Sequence, residues 1–373
     1  MNRGLGIAIA MVALAPFALS SQFLVNLAML TAFSALLGQG WNLSGGFGGL
    51  TSFGHAVFFG LGAYAVAIIQ TRWGINPWFG LPLAALLGAV AGTVLGLAAF
   101  RAGLRGSYFA LVTLAFAEVF RILANSLDIT KGGLGILIPL RPAVANFQFA
   151  DRRAAYAVVL AMLGIAMLAA VWLHRSRFGA RLAAVRENED AAVALGIPLV
   201  GTKTRALALS GAITATGGVL YAQMFLYIDP SIAFGVDRSV EMLLVTMIGG
   251  AGTVLGPVLG AIALHLIEDT TRILIQTPGF ALMLYGLILL AIIAFLPDGI
   301  AGLLGTGQEN NRLPLHLNLH LHLNLHPHLN LHPHLNLHPH LHLHLHLHLH
   351  LNHHLPPSSP SAPCPNASAG WQR

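Results

Sequence analysis

Apolar runs of about twenty residues recur along this chain, separated by short polar or glycine-rich breaks. Runs near 5–20, 23–40, 50–70, 80–100, 108–125, 155–174, 205–226 and 280–297 are each long enough to cross a bilayer as a helix. A helix satisfies its own backbone N–H and C=O groups in hydrocarbon, so the pattern predicts membrane-spanning helices. One more apolar stretch, 240–268, contains IGGAGTVLGPVLGA. Gly249, Gly250, Gly252, Gly256 and Pro257 interrupt a straight helix there, which predicts two short segments. The expected fold class is all-α, a polytopic transmembrane helical bundle of about 8–10 spans. The first run, MNRGLGIAIAMVALAPFALSS, has the basic start and apolar core that also mark a secretory signal. Because further spans follow at once, it is expected to be an uncleaved first span.

Two segments depart from the pattern. RFGARLAAVRENEDAAVALGIP, residues 177–198 within a charged stretch at 175–205, reads as one short helix. Leu182, Val185, Ala192, Val193 and Leu195 supply apolar contacts at roughly 3.6-residue spacing, while Arg181, Arg186, Glu187, Asn188, Glu189 and Asp190 face solvent. Gly196 followed by Pro198 stops it. The segment is too polar to cross a membrane, and its pattern fits both a solvated interfacial helix and a docking handle for a soluble partner. The second departure begins after Gly305, giving a transmembrane domain over 1–305 and a tail over 306–373. The tail repeats LNLHPH and holds all but three of the 19 histidines, the exceptions being His55, His174 and His265. Such a tract specifies no packed core and is expected to be disordered. Its imidazoles suit soft metal buffering, and it equally fits an expanded repeat or a shifted reading frame. No metal site is expected in the membrane portion.

Composition supports the membrane assignment: 56% of residues are hydrophobic and 9% charged, with a mean hydropathy of +0.73, against roughly 25% charged in a soluble domain. The net charge of +6 arises from 19 Lys+Arg against 13 Asp+Glu scattered between spans, which points to loops facing the cytoplasm and lipid rather than to nucleic acid. Arg101 and Arg105 in one turn, and Arg175, Arg177, Arg181, Arg186, Lys203 and Arg205 in the charged stretch, mark both as cytoplasmic, and counting spans back puts the N-terminus inside. The lone cysteine, Cys364, lies in the tail, so no disulfide framework exists.

No G-x-x-x-x-G-K-[ST] phosphate loop, nucleophile elbow or H-E-x-x-H motif occurs, so the chain does not read as an enzyme, and energy for transport must come from a gradient or a partner. Ionisable residues within spans are few and costly. Candidates for intramembrane function are His55, Glu118, Arg121 and Glu241. Glu118 and Arg121, three apart on a helix, can simply pair. Glu241 is expected near an interface, just after DPSIAFGVDRS, and His55 fits a packed, hydrogen-bonded residue as readily as a ligand or proton relay. Two small-xxx-small rows, Gly88, Gly92, Gly96 and Gly252, Gly256, Gly260, are expected to admit close helix packing.

Five stretches in order, NLSGGFGGLTSFGHAVFFGLGAYA, LRGSYFALVTLAFAEVFRIL, RFGARLAAVRENEDAAVALGIP, MIGGAGTVLGPVLGAI and FLPDGIAGLL, make residues 20–304 resemble the inner-membrane permease subunits of branched-chain amino-acid ATP-binding-cassette transporters, of the LivM type. The resemblance implies that the charged segment is the coupling loop, similar to the importer pattern E-A-A-x-x-x-G. It implies coupling roles for Arg177, Phe178, Gly179, Arg186, Glu187, Asn188, Glu189, Asp190, Ala191, Ala192 and Gly196. Asp190 stands where the pattern has glutamate, and the I-x-L-P continuation is absent. By the same resemblance Ala191, Ala192 and Gly196 permit close docking, and Arg186 and Glu189 set register with the partner by charge. The implied partners are a second permease subunit, two ATP-binding subunits that use the ATP, and a periplasmic or extracellular solute-binding protein; no cofactor is held by this chain. The implied solute is a branched-chain or other small amino acid, with urea or short amides, or an ion-coupled secondary carrier, as the alternatives.

Overall fold

The computed structural model describes residues 21–274 and, beyond them, 280, 283–284, 286–287, 290, 295–296 and 299–303. The expected span at 5–20 and the tail at 306–373 lie outside the described residues, and of 280–297 only isolated positions are described. The chain divides into two units, Met1–Asn311 and Arg312–Arg373, and all described residues belong to the first.

The described part is mainly helical, with one two-stranded pairing. Its helices are α1 (Gln22–Ser44), α2 (His55–Trp73), α3 (Gly80–Arg101), α4 (Gly106–Ser126), α5 (Arg152–Arg175), α6 (Arg177–Glu187), α7 (Glu189–Ala194), α8 (Leu199–Phe225), α9 (Pro230–Phe234), α10 (Val236–Gly249), α11 (Gly256–Leu274) and α12 (Gly299–Leu303). Five, α1 to α5, are long and apolar enough to cross a membrane. The 23 residues of α1 rise about 35 Å at 1.5 Å per residue, enough for a hydrocarbon core of about 30 Å.

The 27-residue α8 is not among these five, and it lies inside the bundle. Thr202, Lys203, Thr204, Ser210 and Thr214 on it are all buried. Helices α1, α2 and α3 surround it, and small residues set the approach. A Cβ on Gly88 would meet the Gly211 carbonyl, one on Gly92 the Leu207 carbonyl, and one on Gly96 Thr204. The opposite edge of α3 carries Leu86, Val90 and Val94, all exposed, so one helix turns glycines inward and branched side chains outward toward lipid. Equivalent close approaches join α2 to α8 at Gly62 with Ala215 and at Gly218 with Phe59.

The apolar stretch 240–268 is two helices, α10 and α11, joined by a turn in which Gly250 (φ 118°) and Gly252 (φ 79°) take conformations that side-chain-bearing residues rarely adopt. Pro257 comes in the first turn of α11, where a missing N–H is tolerated. Gly252 is therefore a turn residue and does not belong to a helical packing row with Gly256 and Gly260. Those two face α10, where added Cβ atoms would meet the Gly250 and Val245 carbonyls.

The loops gather at two ends. At one end lie 45–54, the 102–105 turn, 176–198 and the 250–255 turn, tied together by Asn42 and Arg186. At the other, Arg72 Nη2 donates to the Asp128 carbonyl, Trp78 Nε1 to that of Val144 and Arg152 Nη1 to Asn26 Oδ1. There β1 (Ile136–Leu137) pairs antiparallel with β2 (Tyr227–Ile228), Ile136 opposite Ile228, so the long 127–151 segment is fastened to the end of α8.

Gly88→Leu is expected to destabilise the helical bundle by about 2 kcal/mol or more through overpacking against α8. Gly164→Leu on α5, where nothing lies within 4 Å of an added Cβ, should change stability by less than about 0.5 kcal/mol. Thermal unfolding of both purified variants in detergent checks the pair, and equal stabilities would refute the packing assignment.

Candidate coupling surface and intramembrane polar network

The charged segment is two helices rather than one. Ser176 caps α6, its Oγ accepting from Gly179 N at 3.0 Å, and Asn188 caps α7, its Oδ1 accepting from Ala191 N at 3.0 Å. Asn188 is extended (φ −156°, ψ 112°), which ends α6 and starts α7 at an angle. Asparagine favours an N-cap over a helix interior by about 1 kcal/mol, and Glu189 and Asp190 then fall in the first turn, where the helix dipole favours acids. That N-E-D order was a sequence signal for the break.

Three ion pairs clamp α7 to the bundle. Lys203, on α8 and only 3% exposed, pairs with Glu189 Oε1. Arg105 Nε lies 3.0 Å from Glu189 Oε2, and Arg105 Nη1 lies 3.2 Å from Asp190 Oδ1. Lys203 also sits 5.3 Å from the centre of the Phe100 ring. Glu189 is thus committed inside the chain, and its carboxylate is not free to set register with a partner. Arg186 is committed as well: its Nη1 donates to the Gly46 carbonyl at 2.7 Å. Between these groups is a cavity of about 60 Å³ walled by Gly48, Thr51, Phe109, Arg105, Glu189 and Lys203.

Leu182, Val185 and Ala192 face inward and are buried. Val193 and Leu195, expected as apolar contacts of the same helix, instead point outward, 52% and 79% exposed. They stand beside exposed Ala191, Ala194 and Gly196. Gly196 has φ 78° and open space where a side chain would go. Arg177, Phe178, Gly179 and Glu187 complete α6; Gly179 packs under the Leu173 carbonyl, and Phe178 lies 6.3 Å from Trp172, ring centre to ring centre.

Asn42, fully buried near the end of α1, joins this surface to α10 and α11. Its Nδ2 donates to the Thr253 carbonyl at 2.8 Å, and its Oδ1 accepts from Gly252 N at 2.8 Å. Gly46, whose carbonyl holds Arg186, has no room for a Cβ beside Asn42 and Gly252. The sequence reading passed over Asn42, though a lone amide inside an apolar run is itself a signal.

The other nominated residues separate into distinct settings. His55 Nε2 lies 2.7 Å from Ser210 Oγ and 3.3 Å from Ser44 Oγ, and Ser210 Oγ donates onward to the Gly40 carbonyl. This fully buried set fastens α1, α2 and α8 together. Glu118 and Arg121 form an i,i+3 pair on a half-exposed face of α4, with Arg121 Nε 2.9 Å from Glu118 Oε2.

Glu241 lies level with the middle of α1. Its Oε1 accepts from Ser34 Oγ at 3.1 Å, and Ser34 stands twelve residues after Gln22 and ten before Ser44, at the middle of α1. Arg238 Nη1 donates to Glu241 Oε2 at 2.9 Å and its guanidinium lies 4.8 Å from the Tyr221 ring centre and 5.6 Å from that of Phe59. His265 Nε2 lies 3.1 Å from Ser34 Oγ. Because the Ser34 proton goes to Glu241, this His265 nitrogen must carry the proton of their bond. Residues 229–241 reach this depth because the chain breaks at Gly235 between α9 and α10, with Phe234 stacked on Tyr64. A charged side chain at mid-bilayer costs about 3 kcal/mol on insertion scales, and mutual pairing offsets part of that.

A bundle of membrane-length apolar helices, with a clamped charged segment at one end and a polar cluster level with the middle of α1, is the architecture of a multi-pass membrane protein. A family model described as branched-chain amino acid transport system / permease component matches residues 23–293, and the chain belongs to that family. It is the membrane permease subunit of an ATP-binding-cassette importer, of the LivM type. The high-affinity branched-chain amino acid transport system permease protein LivM of Salmonella typhimurium and that of Escherichia coli are each 29% identical over 74% of this chain and 69% of their own. The corresponding LivH protein of Escherichia coli is 24% identical over 72% of this chain and 91% of its own. No solved structure matches the chain significantly.

Glu189→Gln leaves Lys203 buried without its carboxylate and is expected to cost about 1–3 kcal/mol. Adding Lys203→Met should recover part of that loss. A double-mutant cycle read by thermal unfolding in detergent tests the clamp; additive losses would show that the two side chains are not coupled.

Proposed function

We propose that this chain, beside a second permease subunit, forms the path by which an importer carries branched-chain or other small amino acids across the inner membrane. Two ATP-binding subunits drive it from the α6–α7 side, and an external solute-binding protein delivers solute at the end that carries residues 127–151. The N-terminus lies in the cytoplasm, consistent with the arginines gathered at the α6–α7 end. The named relatives are themselves branched-chain amino acid permeases of two kinds, LivM and LivH, which supports both the solute class and the paired permease. ATP is used by the partners, since the sequence contains no phosphate loop.

The observation that carries the coupling role is the outward face of α7. Val193 and Leu195 present apolar surface on a helix whose inner side is clamped by Lys203, Glu189 and Arg105. An exposed apolar patch on a rigidly held element is what a docking partner buries. Closure of the ATP-binding subunits then pushes on α6 and α7 together. Arg186 passes that displacement to Gly46, and Asn42 passes it to the turn between α10 and α11.

Leu195→Asp places a charge on this face without touching the core. Permease stability should stay within about 0.5 kcal/mol, while ATP-driven leucine uptake by the reconstituted transporter falls at least about tenfold through weakened docking. Unimpaired uptake and co-purification with the ATP-binding subunits would count decisively against α7 as the docking helix.

A further inference from the structure

The Arg238–Glu241 pair is a costly feature that helix packing alone does not require. Both side chains are only partly buried, 24% and 29% exposed, yet they lie level with the middle of α1 through the Ser34 bond. They stand on the first turns of α10, directly after the Gly235 break, and discontinuous helices at mid-depth are where transporters place solute-binding groups. The surroundings are fitted to polar solute: Ser34 and His265 supply hydrogen-bonding groups, while Tyr221 and Phe59 supply ring faces beside the guanidinium.

We propose that Arg238 and Glu241 form an exchange station for the zwitterionic head of an α-amino acid. The solute carboxylate takes the place of Glu241 on the Arg238 guanidinium, and the solute ammonium takes the place of Arg238 on the Glu241 carboxylate. Charges stay paired at every stage, so a zwitterion passes a low-dielectric zone without either side chain or solute being left as a lone ion. Ser34, held by His265, is a positioning residue that orients the Glu241 carboxylate. The phenyl and phenol rings of Phe59 and Tyr221 keep the guanidinium planar face covered when its carboxylate partner changes. An uncharged amide or sugar gains nothing from such a pair, so the station discriminates by head group and leaves the side chain of the solute unread. This inference rests on the amino-acid reading of the proposed function.

The deciding variant is the neutral pair, Arg238→Gln with Glu241→Gln. It leaves no isolated charge, so a merely structural pair is replaced at little cost and uptake persists. An exchange station instead loses leucine uptake by at least about tenfold in proteoliposomes holding the complete transporter. Leucine uptake at the wild-type rate by the assembled neutral-pair transporter overturns the proposal. Should the neutral pair fail to co-purify with the second permease, Glu241→Asp decides. It keeps both charges but withdraws the carboxylate by one methylene; a severalfold loss is expected, and wild-type uptake overturns the proposal. The wild-type transporter in the same assay tests the underlying reading separately: uptake of urea or acetamide but not leucine would remove the amino-acid assignment itself, whatever the variants do.

Discussion

The structure turns on one buried amide. Asn42 spends both ends of its side chain on the turn between α10 and α11, and the glycine four residues later offers its carbonyl to Arg186 of α6. A buried amide bonded at both ends does not slide, because any shift leaves a donor or acceptor unpaired at a cost of about 1–3 kcal/mol. These bonds tie α6 to the end of α1 and to the turn between α10 and α11. Those same three helices meet again at mid-depth through Ser34, Glu241 and His265. The charged surface and the membrane interior are two ends of one set of hydrogen-bonded helices.

The remaining helices pack around that set. α8 lies in the centre, and its glycine and alanine contacts with α2 and α3 bring backbones together without flexible side chains between them. His55, Ser44 and Ser210 lock α1, α2 and α8 at one level. Lys203 at the base of α8 anchors α7 through Glu189, so α7 and the central helix are held together.

Much of the fold was legible in the sequence because membrane helices advertise themselves by length and hydropathy, and because Gly249, Gly250 and Gly252 signalled the break in 240–268. The depth of a residue was less legible. DPSIAFGVDRS carries three charges and reads as a watery edge, yet the break at Gly235 folds it inward and brings Arg238 and Glu241 level with the middle of α1. Composition cannot see this, since the stabilising partners, Ser34, Tyr221, Phe59 and His265, come from four other helices. The charged segment shows the same limit on a smaller scale. Helical periodicity placed Leu182 and Val185 correctly on the inner face, but the Asn188 cap gives α7 its own direction and turns Val193 and Leu195 outward. Arg186 and Glu189 looked like free surface charges because their partners, Gly46, Arg105 and Lys203, are remote in sequence.

The link from the charged surface to the membrane interior is tested most directly by the number of leucine molecules imported per ATP hydrolysed when Arg186→Ala is placed in the complete reconstituted transporter. That substitution removes the bond to the Gly46 carbonyl while leaving the Glu189–Lys203 clamp in place. The predicted result is a fall in that ratio of about tenfold, the equivalent of about 1.4 kcal/mol of lost coupling. An unchanged ratio would contradict transmission through Arg186, Gly46 and Asn42.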